Sequence, residues 1–159
     1  MMAFRTDNGG FAFKANDAKI QHSSWGNRLS QLHRQKGTVR IITYSLPDMA
    51  YVRRQLGRRP HDIYIIAHSK FSRRANEICG EFPGIVVAVH DEVHSKVVLV
   101  EPETVIVSSA NFGDSGWHET TVSFHSKPAH EYYRDRVWEP LFGKCWLPEN
   151  AIPLQYRMR

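Results

Sequence analysis

The chain has 159 residues, of which 42% are hydrophobic and 23% charged, and this composition excludes a disordered chain and predicts one globular domain over residues 1–159. Lys and Arg outnumber Asp and Glu by 21 to 16, and the net charge of +5 favours a polyanionic partner such as nucleic acid, although it is equally consistent with solubility alone. No apolar run has the length of a membrane span or of a signal-peptide core, so we expect a cytoplasmic protein. Cys79 and Cys145 lie in no zinc-binding pattern and are expected to be reduced thiols. The sequence is also compatible with a disulfide between them.

Helices and strands alternate in the N-terminal half, after an irregular arm at 1–16. Apolar residues at helical spacing predict helices, and β-branched runs predict strands. In chain order, the predicted elements are a helix at 23–36, a strand at 38–46, a helix at 48–57, a strand at 61–68, a short helix that ends at Cys79, and a strand at 84–90.

The second half is predicted to contain a β-hairpin, one more strand and a closing helix. Pro102, between two glutamates, indicates a tight turn that joins strands at 96–100 and 104–109. A strand at 119–125 and a helix at 128–142 follow, and 146–159 is predicted to be an irregular arm. The whole pattern predicts an α/β fold in which a mixed β-sheet is sandwiched between helices on both faces.

The triplet His-Ser-Lys occurs three times, at 68–70, 94–96 and 125–127. The first copy lies between a predicted strand and a predicted helix, so we interpret it as structural, with Ser69 as a possible helix cap and Lys70 as a possible phosphate contact. The third copy precedes a proline and a helix, and is interpreted as a strand exit and turn. Neither is followed by residues that would complete a site.

The middle copy differs because a second group of polar residues follows it. His94 and Lys96 point to the same face of a strand, since side chains alternate with period two. The predicted hairpin brings Ser109 and Asn111 back beside them. A nucleophile, a cation and two neutral hydrogen-bonding groups suit a phosphoryl group.

The stretch HSKVVLVEPETVIVSSAN, residues 94–111, resembles the signature of the phospholipase D superfamily: His-x-Lys, four residues, Asp, six residues, Gly-Ser-x-Asn. Glu101 stands where the family has Asp, and Ser108 where it has Gly. The order of helices and strands from about 20 to 142 is also similar to one phospholipase D half. Among its members, the chain most resembles the small endonucleases that carry one motif per chain.

This resemblance implies a metal-independent hydrolysis of phosphodiesters at a site shared by a homodimer, without a cofactor. His94 would attack phosphorus and form a phosphohistidine, and His94 of the partner subunit would protonate the leaving oxygen. Lys96 and Asn111, with Ser109, would stabilise the charge of the transition state.

The resemblance also implies roles for two carboxylates. Family members have a Glu shortly after the Asn, and Glu119 is the candidate to orient the nucleophilic histidine. Glu101 is included among the catalytic residues because it occupies the position of the family's Asp, where it would hold the local backbone by hydrogen bonds.

The sequence predicts a nucleic-acid substrate, with DNA favoured over RNA. Basic residues at predicted helices would track the phosphate backbone, although they are equally explained as solvated helix faces. These candidates are Arg53, Arg54, Lys70, Arg73 and Arg74. Phe112 and Trp117 would stack on bases or line the pocket. Two alternatives stay open: a catalytically weak nucleic-acid-binding module of the same fold, and a phosphodiesterase for lipids or small nucleotides.

Overall fold

The computed structural model describes residues 11–14, 17–23, 34–113 and 117–156. Within them, eight strands form one mixed sheet with the order β1-β2-β8-β7-β6-β3-β4-β5. The strands are β1 (Phe11–Lys14), β2 (Ala18–Ser23), β3 (Val39–Ile42), β4 (His61–His68), β5 (Gly84–His90), β6 (Val97–Val100), β7 (Thr104–Ser108) and β8 (Glu119–His125).

Helices cover both faces of this sheet, as the sequence predicts. One face packs α1 (Met49–Leu56) and α2 (Ser72–Glu81) against apolar side chains of the central strands, with Ile65 and Val87 fully buried. The other face packs α3 (Lys127–Tyr133), a π-helical turn (Arg134–Trp138) and α4 (Glu139–Phe142), with Trp138 at its centre. The protein is therefore a three-layer α/β structure with a buried central sheet.

The directions of the strands bring the segments that carry the candidate site residues to one edge of the sheet. β3, β4 and β5 are parallel, so their carboxyl ends lie together. β6 is antiparallel to β3, with Ile42 opposite Val97, so the start of β6 lies at the same edge. β7 returns beside β6, and β8 starts opposite the end of β7. Residues just after β3, before β6, after β7 and at the start of β8 therefore converge.

Most predicted elements are confirmed, and strands β4, β5 and β8 have the predicted bounds. Helix α1 begins after Asp48, whose side chain accepts a hydrogen bond from Tyr51 N at 2.8 Å, and ends at Gly57. Helix α2 continues past Gly80 to Glu81, which the sequence prediction missed.

The N-terminal predictions fit less well. Residues 11–14, predicted to be irregular, form the edge strand β1, and β2 was not predicted. The helix predicted at 23–36 begins at the last residue of β2, and its positions 24–33 lie outside the described residues. The two cysteines are free thiols on opposite faces of the sheet, with Cys79 among the buried residues near α2 and Cys145 against the α3–α4 layer. No helix in the described part of the chain is long and apolar enough to cross a membrane.

Candidate active site

His94 and Lys96 lie at the converging edge, immediately before β6. His94 is exposed, and Lys96 is half-buried. The Lys96 ammonium donates to the carbonyl oxygen of His94 at 2.8 Å and lies 3.3 Å from its ring atom Nδ1. Partial burial lowers the pKa of Lys96 from its usual value, and the negative charge of Glu119 acts in the opposite direction. An exposed imidazole thus has a cation directly beside it.

Asn111 is held by the loop that follows β3. Its Oδ1 accepts hydrogen bonds from the backbone N–H groups of Tyr44 at 3.1 Å and Ser45 at 3.4 Å, and it lies 3.2 Å from the Thr43 hydroxyl. Thr43 is fully buried and also accepts from Phe112 N at 3.0 Å. Because Oδ1 is bound on the protein side, the Nδ2 amide of Asn111 is the group left to donate elsewhere.

Ser109 and Glu119 join the end of β7 to the start of β8. The Ser109 hydroxyl donates to Glu119 Oε2 and accepts from Thr120 N at 3.0 Å. Glu119 is only 8% exposed, so its charge is held within the edge, close enough to act on Lys96. The structure therefore brings His94, Lys96, Ser109, Asn111 and Glu119 to one edge of the sheet.

Ser108 replaces the family's glycine without backbone strain. Among the described residues other than glycine, only Asp62 has a positive φ, so Ser108 occupies an ordinary backbone conformation. Its hydroxyl lies 2.8 Å from Thr121 Oγ1 and accepts from Ala110 N at 3.0 Å. The hydroxyl thus ties the end of β7 to β8.

A cleft of about 560 Å³ adjoins this cluster. Ser109, Asn111 and Glu119 line it on one side, and Pro47, Asp48 and Trp117 line it elsewhere. Trp117 is 79% exposed, whereas Phe112 is 5% exposed and packs edge-on against Tyr51, so of these two aromatic residues Trp117 is the one that presents its ring to an incoming ligand.

Glu101 lies at the opposite edge of the sheet, which corrects its place among the catalytic residues. Glu101 follows β6, whereas His94 precedes this strand. The Glu101 carboxylate accepts a hydrogen bond from Arg40 Nη1 at 2.7 Å and lies 3.6 Å from Arg134 Nη1. The hydrogen bond from Arg40 lowers the pKa of Glu101 from its usual value, against the smaller effect of burial. The carboxylate stabilises the hairpin turn rather than contacting the cluster around His94.

We expect Glu101→Gln to lower the free energy of unfolding by about 1 kcal/mol at neutral pH and to leave unchanged any phosphodiester cleavage for which the resemblance would make the His94 cluster responsible. The folded pKa of Glu101 lies below its unfolded value of about 4.3, so its stabilising contribution is present above that pH and is lost as the pH falls through the folded pKa. Urea unfolding of both proteins should show the difference at neutral pH and its disappearance well below about pH 4. Weaker cleavage with unchanged stability would return Glu101 to the site.

The basic residues predicted to bind nucleic acid divide into two groups. Arg53 binds Glu81 at 2.9 Å, and Arg74 donates to Pro47 O at 2.9 Å and pairs with Glu77 at 3.3 Å. Arg54 lies over the Tyr51 ring, 5.4 Å from its centroid. Lys70 and Arg73 are exposed and have no ion pair within the described residues. These two remain the cations best placed to meet a phosphate.

Tyr44 is a site residue that sequence reasoning missed. Besides binding Asn111 through its backbone, its ring packs 5.3 Å from the His94 ring and 5.0 Å from the His68 ring, centroid to centroid. Its position just after β3 was the available signal, because the carboxyl ends of parallel strands meet at one edge.

Comparisons with known proteins bear on the family and the fold. Residues 13–139 match the family model described as "Cardiolipin synthase, PLD-like domain". No curated protein sequence matches the chain. Among solved structures, the phospholipase D family member Nuc from Salmonella typhimurium superposes with a TM-score of 0.64 at 16% identity, covering 82% of this chain and 98% of that one.

Two further structures share the fold at low identity. NucT from Helicobacter pylori superposes with a TM-score of 0.59 at 13% identity over 80% of this chain and 99% of that one. The archaeal chromatin protein TrmBL2, described as having a novel mode of DNA binding, gives 0.57 at 9% identity over 84% and 55%. Because the family model spans most of the sequence, the chain belongs to the phospholipase D-like family.

Proposed function

We propose that this protein is an endonuclease that hydrolyses nucleic-acid phosphodiester bonds without a metal ion, through a phosphohistidine at a site shared by two subunits. The observation that carries the proposal is the meeting of His94, Lys96 and the Asn111 amide at one edge of the sheet. It joins an exposed nucleophile to a cation and a hydrogen-bond donor, which is the chemistry that a phosphoryl group requires.

The reaction follows from the properties of imidazole. The neutral ring of His94 attacks phosphorus, an N–P bond forms, and the bond from phosphorus to the leaving oxygen breaks. His94 of the partner subunit, protonated at the start, gives its proton to that oxygen. It then takes a proton from water, whose oxygen attacks phosphorus and breaks the N–P bond. Imidazole can act both as a nucleophile and as a proton carrier, so one residue type can perform both roles.

Lys96 and Asn111 would act on the phosphoryl oxygens. An ammonium group has no acceptor, so in its contact with His94 the Lys96 Nζ donates to Nδ1, and the proton of the neutral ring lies on Nε2. A phosphodiester oxygen would compete for Lys96, and Nδ1 could then hold the ring proton while Nε2 attacks. Asn111 would meet the substrate as a fixed donor, since its oxygen is already bound to the Tyr44 and Ser45 backbone.

Three features support a polynucleotide as the substrate. The net charge is +5, Lys70 and Arg73 are exposed near the same edge, and the cleft beside Asn111 has an exposed indole at Trp117 on which a base can stack.

The test is cleavage of labelled single- and double-stranded DNA in EDTA by the wild type, His94→Ala and His125→Ala. His125 is a matched control because it belongs to another His-Ser-Lys triplet and pairs with Thr104, at the opposite edge of the sheet. We expect the wild type and His125→Ala to cut, and His94→Ala to cut at least about 10²-fold more slowly. DNA binding without cutting by the wild type would instead favour the non-catalytic binding module.

A further inference from the structure

The first His-Ser-Lys triplet lies beside the candidate active site. His68 ends β4, and its ring is 5.0 Å from the Tyr44 ring, which is itself 5.3 Å from the His94 ring. Two of the three triplets thus meet at one edge of the sheet, separated by a single tyrosine. A nucleic-acid strand advances about 3.4 Å per nucleotide along a duplex axis and further when extended, so a phosphate near His68 would be a close neighbour of one bound at His94.

The contact that His68 makes with the backbone indicates which of its ring nitrogens can donate a hydrogen bond. Its Nδ1 accepts a hydrogen bond from Lys70 N at 3.0 Å, where it caps the turn before α2. An imidazole nitrogen that accepts carries no proton, so in the neutral ring the proton is on Nε2. The Nε2–H group can therefore donate to an anion while Nδ1 keeps its contact with Lys70 N. This capping role belongs to His68 and not to Ser69, the residue that the sequence suggested.

Lys70 and Arg73 add positive charge next to this donor. Both side chains are exposed and unpaired among the described residues, unlike Arg53 and Arg74, which acidic residues or a carbonyl already hold. Lys70 lies in the 3₁₀ turn Ser69–Phe71, and Arg73 is the second residue of α2, so both cations are at the N-terminal end of this helix.

One carboxylate, Asp91, is in direct contact with the triplet. Asp91 Oδ1 accepts a hydrogen bond from the Ser69 hydroxyl, which holds the triplet in place. The Ser69 hydroxyl proton is therefore not free to donate a hydrogen bond to a phosphate. Neither Lys70 nor Arg73 forms an ion pair with a carboxylate of the described residues, so both cations can meet a phosphate.

We propose that His68, Lys70 and Arg73 form a second phosphate subsite, which binds the phosphate flanking the scissile one in a polynucleotide. This inference rests on the proposed function, because it assigns a place to the rest of the same substrate. It also gives the first triplet a role in substrate selection: the enzyme would prefer a chain of nucleotides to an isolated diester.

The experiment compares two substrates that differ in whether a flanking phosphate exists. One is a labelled single-stranded DNA oligonucleotide, and the other is bis(p-nitrophenyl) phosphate, which has a single phosphate. For Lys70→Ala/Arg73→Ala, we expect the ratio of kcat/KM on DNA to kcat/KM on the small diester to fall about tenfold, mainly through a higher KM for DNA. His68→Asn retains a side-chain acceptor for the Lys70 N–H, but its amide donor reaches less far than the Nε2–H group of His68. This variant should therefore also lower the ratio.

Arg58→Ala is the matched control, because Arg58 is an exposed arginine without an ion pair in the described residues and lies just before β4, at the far edge of the sheet. It should leave the ratio unchanged. Equal losses on both substrates, or no loss on either, in Lys70→Ala/Arg73→Ala would overturn the subsite.

Binding measurements separate failure of the subsite from failure of the proposed function. Fluorescence anisotropy with the same oligonucleotide gives Kd over a range of salt concentrations, and losing one phosphate contact should reduce the slope of log Kd against log salt by about 1. If the wild type hydrolyses neither substrate, weaker binding by Lys70→Ala/Arg73→Ala than by Arg58→Ala still supports the subsite. Identical Kd values and salt slopes for the two variants would overturn it.

Discussion

Asn111→Asp is expected to lower kcat for DNA cleavage by about 10²–10³-fold while leaving the fold intact. The substituted side chain still offers an oxygen to the Tyr44 and Ser45 N–H groups, so the loop after β3 keeps its hydrogen bonds. Its second oxygen replaces the amide that would donate to the phosphoryl group, and places negative charge where the substrate carries negative charge. This variant should therefore lose activity without losing stability.

Steady-state kinetics and thermal unfolding of Asn111→Asp and Asn111→Ala together test this division of roles. Alanine removes both the donor and the acceptor, so it leaves backbone N–H groups of the loop without their partner and should lower the melting temperature as well as kcat. Aspartate should lower kcat alone. Near-wild-type cleavage by Asn111→Asp would show that the amide does not contact the reacting phosphate.

The hairpin explains why much of this site could be predicted from the sequence. His94 and Lys96 precede β6, Ser109 and Asn111 follow β7, and a short turn joins the two strands. The expected alternation of His94 and Lys96 along a strand was wrong, because β6 begins only at Val97. A tight turn is a local property, so the two arms of the hairpin can be aligned from sequence alone. The same reasoning predicted the α/β layers, because apolar strands alternate with amphipathic helices.

The supporting contacts could not be predicted, because they depend on the order of strands in the sheet. Tyr44 meets His94 and His68 only because β3 lies between β6 and β4, and strand order is set by distant pairings. The pairing of Arg53 with Glu81 likewise joins two helices that are far apart in sequence. For the same reason, Glu101 was placed in the site on its motif position, although the strand carries it to the opposite edge.

A heterodimer of one wild-type subunit and one His94→Ala subunit is expected to lose at least about 10²-fold in cleavage rate, rather than half. The proposed reaction uses His94 from both subunits at one site, as nucleophile and as acid, so a single substitution removes one of the two steps at that site. Each chain carries one copy of the motif, and its His94 is exposed. A residue that contributes to a site between two subunits has to be accessible in the single chain.

The heterodimer can be isolated by co-expressing the two chains with different affinity tags and purifying on both in sequence. A heterodimer of wild type with His125→Ala, prepared identically, controls for the tags and should retain full activity. Light scattering at micromolar concentration checks the assembly, and a monomer mass would contradict the shared site directly. Retention of half the activity would instead place the acid within the same chain.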